Sequence, residues 1–101
     1  MIIEKFNSID FIIKQISIIA DKYDIQKIIL FGSRARGDNS YTSDIDLAVY
    51  TNDSKAKTFF ILDLEEINTL LKFDVVIVNN NISKNLLRQI KKDGVVIYEQ
   101  K

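Results

Sequence analysis

Three aspartates, Asp44, Asp46 and Asp74, are the side chains of this sequence best placed to do chemistry. Side chains alternate between the faces of a strand, so a strand over 44–50 sends Ile45, Leu47 and Val49 one way and Asp44, Asp46 and Ala48 the other. A strand over 73–78 likewise separates Phe73, Val75 and Ile77 from Asp74, Val76 and Val78. All three carboxylates can then share one surface, where Asp44 and Asp46 repel each other unless a cation lies between them. Hard oxygen ligands without His or Cys favour Mg²⁺ or Mn²⁺, and Mg²⁺ is commonly shared between carboxylates and substrate phosphates. The chemistry is phosphoryl or nucleotidyl transfer. Two ions about 4 Å apart can hold the attacking and leaving oxygens, with Asp44 and Asp46 bridging both and Asp74 on the nucleophile side as general base.

A phosphate cradle precedes these acids. Gly32-Ser33 follows an apolar run and opens a segment able to start a helix, where backbone N–H groups and a hydroxyl can face phosphate oxygens. Taken singly, Gly-Ser after a strand is a turn and Asp-x-Asp at a strand start is a solvated pair. Together they read Gly32-Ser33, ten residues, then Asp44-x-Asp46. That spacing joins a phosphate-binding turn to a cation site on the neighbouring strand.

Composition narrows the classes further. There is no His and no Cys, which excludes Ser-His-Asp and Cys-His catalysis, thiolate metal sites and disulfides. Fourteen basic residues balance fourteen acidic ones, so no overall cationic field draws in nucleic acid. Apolar runs are broken by charge before the ~20 residues of a membrane span, and no signal-peptide pattern is present. A cytoplasmic protein that binds neither membrane nor nucleic acid is expected. Gly32 to Gly37 fails as a P-loop, because Asp38-Asn39 stands where Lys-Ser/Thr is required.

The elements that must position the site follow from periodicity. Ile9, Ile12, Ile13, Ile16, Ile19, Ala20 and Tyr23 mark an amphipathic helix, with Asn7 and Asp10 read as a capping box. Residues 26–31 form a buried strand ending at Gly32, and a polar, turn-rich segment leads to the strand at 44–50. Ser54 is read as the cap of a helix whose stripe Ala56, Phe60, Leu64, Ile67 and Leu71 runs to Lys72. Phe73 to Val78 is the third strand. Ser83 caps a helix carrying Leu86, Leu87 and Ile90, and Val95 to Tyr98 is the last strand. The expected fold is α/β (α+β), a mixed sheet of about four strands with helices packed on one face, as a single domain over 1–101.

The run GSRARGDNSYTSDIDLAVY, Gly32 to Tyr50, resembles the signature of the minimal nucleotidyltransferases, a small branch of the polymerase-β nucleotidyltransferase superfamily. The likeness extends to a strand-borne third acid, Asp74 in KFDVVIV. The resemblance implies that Asp44, Asp46 and Asp74 are catalytic metal ligands and that Gly32 and Ser33 hold a triphosphate. Arg34 and Ser43 are further candidate nucleotide contacts, although an arginine here can instead brace the loop through a salt bridge, and Arg36 also matches the pattern. It further implies two Mg²⁺ ions, ATP as substrate and a HEPN-domain ribonuclease toxin as partner, silenced by transfer of AMP to a toxin tyrosine. Two other readings share the scaffold: an antitoxin that neutralises by binding alone, and transfer to a small molecule, for which the chain lacks room for an enclosing domain.

Overall fold

The computed structural model describes residues 8–101. Helix α1 (Ile9–Ala20) buries Ile12, Ile16, Ile19 and Ala20 at helical spacing. Its cap is Ser8, whose hydroxyl accepts from the Phe11 amide at 3.3 Å; the Asn7 half of the expected capping box lies outside the described residues. Strand β1 (Lys27–Phe31) leads into a one-turn helix α2 (Ser33–Arg36). After a loop come β2 (Ile45–Tyr50), α3 (Ser54–Leu64), β3 (Phe73–Ile77), α4 (Lys84–Asp93) and β4 (Val95–Glu99).

The four strands form one mixed sheet in the order β3-β2-β1-β4. Strand β1 runs antiparallel to β2 and β4, whereas β2 and β3 run parallel, joined by the α3 crossover. The expected alternation along β2 holds: Ile45, Leu47 and Val49 are fully buried against α1 and α3, with Phe60 and Leu64 in the same cluster. Full burial of each such side chain is worth about 1.5–3 kcal/mol, so this layer dominates the stability of the sheet.

Two expectations are corrected. Helices do not pack on one face only: α4 crosses β1 on the opposite face, where its buried Ile90 meets Ile29, Phe31 and Ala48. Those apolar side chains on the aspartate face would otherwise face water, and the apolar stripe Leu86 and Ile90 of α4 covers them. Helix α3 ends at Leu64 and not near Lys72. Glu65 and Glu66 follow at its C-terminal end, where negative charge opposes the helix dipole. Ile67 and Leu71 still pack on the core, but from the connecting segment. Its cap is also one residue earlier than expected, since the Asp53 carboxylate accepts from the Lys55 amide at 2.9 Å. Ser83 caps α4 as expected, accepting from the Leu86 amide at 3.1 Å.

Candidate active site

The site forms where β1 ends and β2 and β3 begin, on the side of the sheet that α4 covers further along. Phe31, the last residue of β1, lies opposite Asp46 in the antiparallel ladder. In the parallel ladder Asp46 is the register partner of Asp74, so the two carboxylates are neighbours on one face. Asp74 and Asp44, the latter one residue before β2, both act on Asp46 through their charge. Burial is the main reason that the Asp46 carboxyl is raised above its usual 3.8, followed by the charges of Asp74 and Asp44; Arg36 opposes the shift. Asp46 is half-buried, while Asp44 and Asp74 are exposed.

Gly32 lets the turn between β1 and α2 meet this pair. Its backbone, at φ 77° and ψ −157°, is in a region that residues with a Cβ avoid. A Cβ built there would fall on the Asp46 carboxylate. The chain can therefore pass from β1 into α2 in contact with Asp46 only with glycine at this position. Within α2 the Ala35 and Arg36 amides both donate to the Gly32 carbonyl at 3.1 Å. The Ser33 and Arg34 amides precede the helix's own ladder and are the donors that a helix start offers to an anion.

The loop that carries the chain to Asp44 is held by its own hydrogen bonds. Arg34 donates from Nε to the Ser43 carbonyl at 3.0 Å and from Nη2 to the Tyr41 carbonyl at 3.3 Å. Ser43 Oγ accepts from the Ser40 amide at 2.9 Å and lies 3.1 Å from Ser40 Oγ. Both residues thus brace the loop from within, Arg34 through backbone carbonyls and not through the salt bridge expected of an arginine here. Arg36 donates to Asp38 at 3.0 Å and to Asp93 at 3.3 Å, tying α2 to the end of α4.

The pattern of residues 14–101 matches the family described as "Polymerase beta, Nucleotidyltransferase". The chain belongs to the polymerase-beta nucleotidyltransferase family. A nucleotidyltransferase relative from Methanocaldococcus jannaschii, MJ0604, provisionally named a protein adenylyltransferase, is 36% identical over 83 residues, 73% of this chain and 79% of the relative. A second protein of that organism with the same provisional name, MJ1379, is 41% identical over 46 residues, covering 46% of each chain. The fold is that of a chain in the crystal structure of a toxin-antitoxin with AMP-PNP, with a TM-score of 0.68 at 24% identity over 88% of this chain and 74% of that one. It is also that of a chain in the tri-AMPylated Shewanella oneidensis HEPN toxin complex with MNT antitoxin, with a TM-score of 0.63 at 23% identity over 90% and 72%.

Of the residues singled out in the sequence, Gly32 meets Asp46, Asp46 is in register with Asp74, Ser33 opens α2 after Gly32, and Asp44 acts on Asp46 from just before β2. Among the described residues no three metal-ligating side chains are gathered closely enough to hold an ion as they stand. The donor chemistry nevertheless fits a hard divalent cation: the groups are carboxylates, two of them in register, and a nearby positive charge would relieve what raises Asp46. Asp93 was not anticipated. Its ion pair with Arg36 spans 57 residues and leaves no local signal in the sequence.

Proposed function

We propose that the chain is a Mg²⁺-dependent adenylyltransferase that moves AMP from ATP to a hydroxyl of a partner protein. The partner class we propose is a HEPN-domain toxin, for which the chain acts as antitoxin. The register of Asp46 with Asp74, beside a glycine that touches Asp46, is the observation that carries this reading. The provisional name of MJ0604 and the AMPylated toxin in the Shewanella complex support the acceptor and partner.

Asp44, Asp46 and Asp74 would hold the divalent ions, two being the number suited to in-line nucleotidyl transfer. Bound there, the ions supply charge neutralisation for the triphosphate and the developing alkoxide. Gly32 and Ser33 receive the phosphates, with Ser33 contributing its hydroxyl and the start of α2 its amides. Arg34 and Ser43 keep the loop, and through it Asp44, in place, and their proximity to the cradle makes them further nucleotide contacts. Asp74, exposed at the entry of the site, accepts the proton of the attacking hydroxyl. The sheet and its helices carry the site within one domain. Its exposed site suits an acceptor that brings its own binding surface. No helix among the described residues is long and apolar enough to cross a membrane. With the absence of cysteine and the use of ATP, this supports a cytoplasmic setting.

The test is to incubate the chain and a HEPN-domain candidate partner with ATP and Mg²⁺ and read the intact masses of both. A gain of adenylyl groups on the partner, absent with Asp44→Asn and with Asp46→Asn, is the expected result. Stable binding of an unmodified partner by wild type and variants alike would replace transfer by neutralisation through binding.

A further inference from the structure

An open transfer site can act on any suitably displayed hydroxyl, including one of its own chain. Four tyrosines are present. The Tyr23 hydroxyl donates to Asp63 at 2.6 Å and that of Tyr98 to Asp21 at 2.8 Å. The Asp63 hydrogen bond raises the Tyr23 phenol, while burial and then the Asp21 hydrogen bond raise Tyr98. Tyr50 is half-buried beneath the Lys27 ammonium, 4.7 Å from its ring centre.

Tyr41 differs from all three. It is 79% exposed, three residues before Asp44, and its side chain enters none of the hydrogen bonds found among the described residues. Its backbone, by contrast, is fixed. Arg34 holds the Tyr41 and Ser43 carbonyls, and the turn is closed by the Ser43 amide donating to the Ser40 carbonyl at 3.3 Å and the Ser40 amide donating to Ser43 Oγ at 2.9 Å. An exposed phenol is thus carried by a pinned turn three residues before Asp44, and a fixed backbone narrows the volume its hydroxyl must search to react.

We propose that Tyr41 is an acceptor of the chain's own adenylyl transfer, so that the enzyme modifies the loop beside its site. This rests on the transferase reading above. A lone pair of the Tyr41 phenolic oxygen forms a bond to the α-phosphorus of ATP. The bond from that phosphorus to the oxygen bridging towards the β-phosphate breaks, its electron pair leaves with diphosphate, and the phenolic proton passes to the Asp74 carboxylate. The product is a tyrosyl phosphodiester of adenosine. It places one new negative charge and a bulky nucleoside beside Asp44, where both oppose entry of another triphosphate. Self-modification therefore lowers the activity of the chain that carries it.

Two measurements on the full chain test this. Calorimetry with Mg²⁺ and a non-hydrolysable ATP analogue reports the site, and intact mass with peptide sequencing after incubation with Mg²⁺ and ATP, without any partner, reports the modification. The expected result is analogue binding by wild type and by Tyr41→Phe, with one adenylyl group on Tyr41 of wild type and loss of it in Tyr41→Phe and Asp46→Asn. Analogue binding without an adenylyl group on wild type, or an undiminished label on Tyr41→Phe, overturns the self-modification and leaves the transferase reading standing. Failure of wild type to bind the analogue overturns both.

Discussion

Replacing Gly32 by alanine should damage both the fold and the site, by two separable effects. At φ 77° and ψ −157° the backbone occupies a region essentially reserved for glycine, and holding another residue there costs about 1–3 kcal/mol. The added Cβ also falls on the Asp46 carboxylate, so either the turn or Asp46 must move. A displacement of about 1 Å at a reacting centre can cost on the order of 10²-fold in rate. Gly37→Ala supplies the control. Gly37 is left-handed at φ 85°, but a Cβ there meets nothing within 4 Å, so the substitution brings backbone strain of about 1–2 kcal/mol without the collision. Urea unfolding and initial rates of adenylyl transfer should therefore show both variants destabilised, with only Gly32→Ala losing about two orders of magnitude in rate. Equal rates for the two variants, or wild-type stability and transfer in Gly32→Ala, would refute the argument that this glycine exists to let the turn after β1 touch Asp46.

Further consequences concern charge, the loop and the core. The folded Asp46 carboxyl is raised above its usual 3.8, so between that value and its folded value the native state holds more protons than the unfolded chain. Without divalent ions, stability should fall as pH rises through this window and become independent of the group below it; Asp46→Asn should flatten that segment of the unfolding profile while abolishing transfer. Arg34→Lys cannot reproduce two bonds from one planar fork, so hydrogen exchange at residues 40–43 should quicken and transfer slow; unchanged exchange would show that the loop does not depend on Arg34. Leu47→Ala, at a fully buried site in the central layer, should lower the unfolding free energy by about 2–5 kcal/mol in urea titration, and a loss under about 1 kcal/mol would contradict the packing described.

The local constraints were written in the sequence because near neighbours set them. Alternation along β2 and β3 placed Ile45, Leu47 and Val49 opposite Asp44 and Asp46, and put Asp74 on the aspartate face, since adjacent side chains of a strand must point to opposite sides. Gly32-Ser33 marked the turn because few residues can adopt such a backbone. The helical stripe of α1 was legible for the same kind of reason, whereas the stripe from Ala56 to Leu71 misled: its last members pack on the core without being helical. Apolar spacing records which side chains are buried, and a loop can bury them as well as a helix.

Only the tertiary structure decided the rest. The pairing of Asp46 with Asp74 depends on the register of two strands joined by α3, and a shift of one residue would send either carboxylate to the other face. The position of α4 on the aspartate side depends on apolar area left uncovered by Ile29, Phe31 and Ala48, which no stretch of α4 itself encodes. The Arg36–Asp93 pair likewise arises from chain segments brought together by folding. Residue types and spacing determined which chemistry was available, because charge and backbone sterics are local. Register and layer packing determined whether those groups meet, because burial is shared by the whole chain.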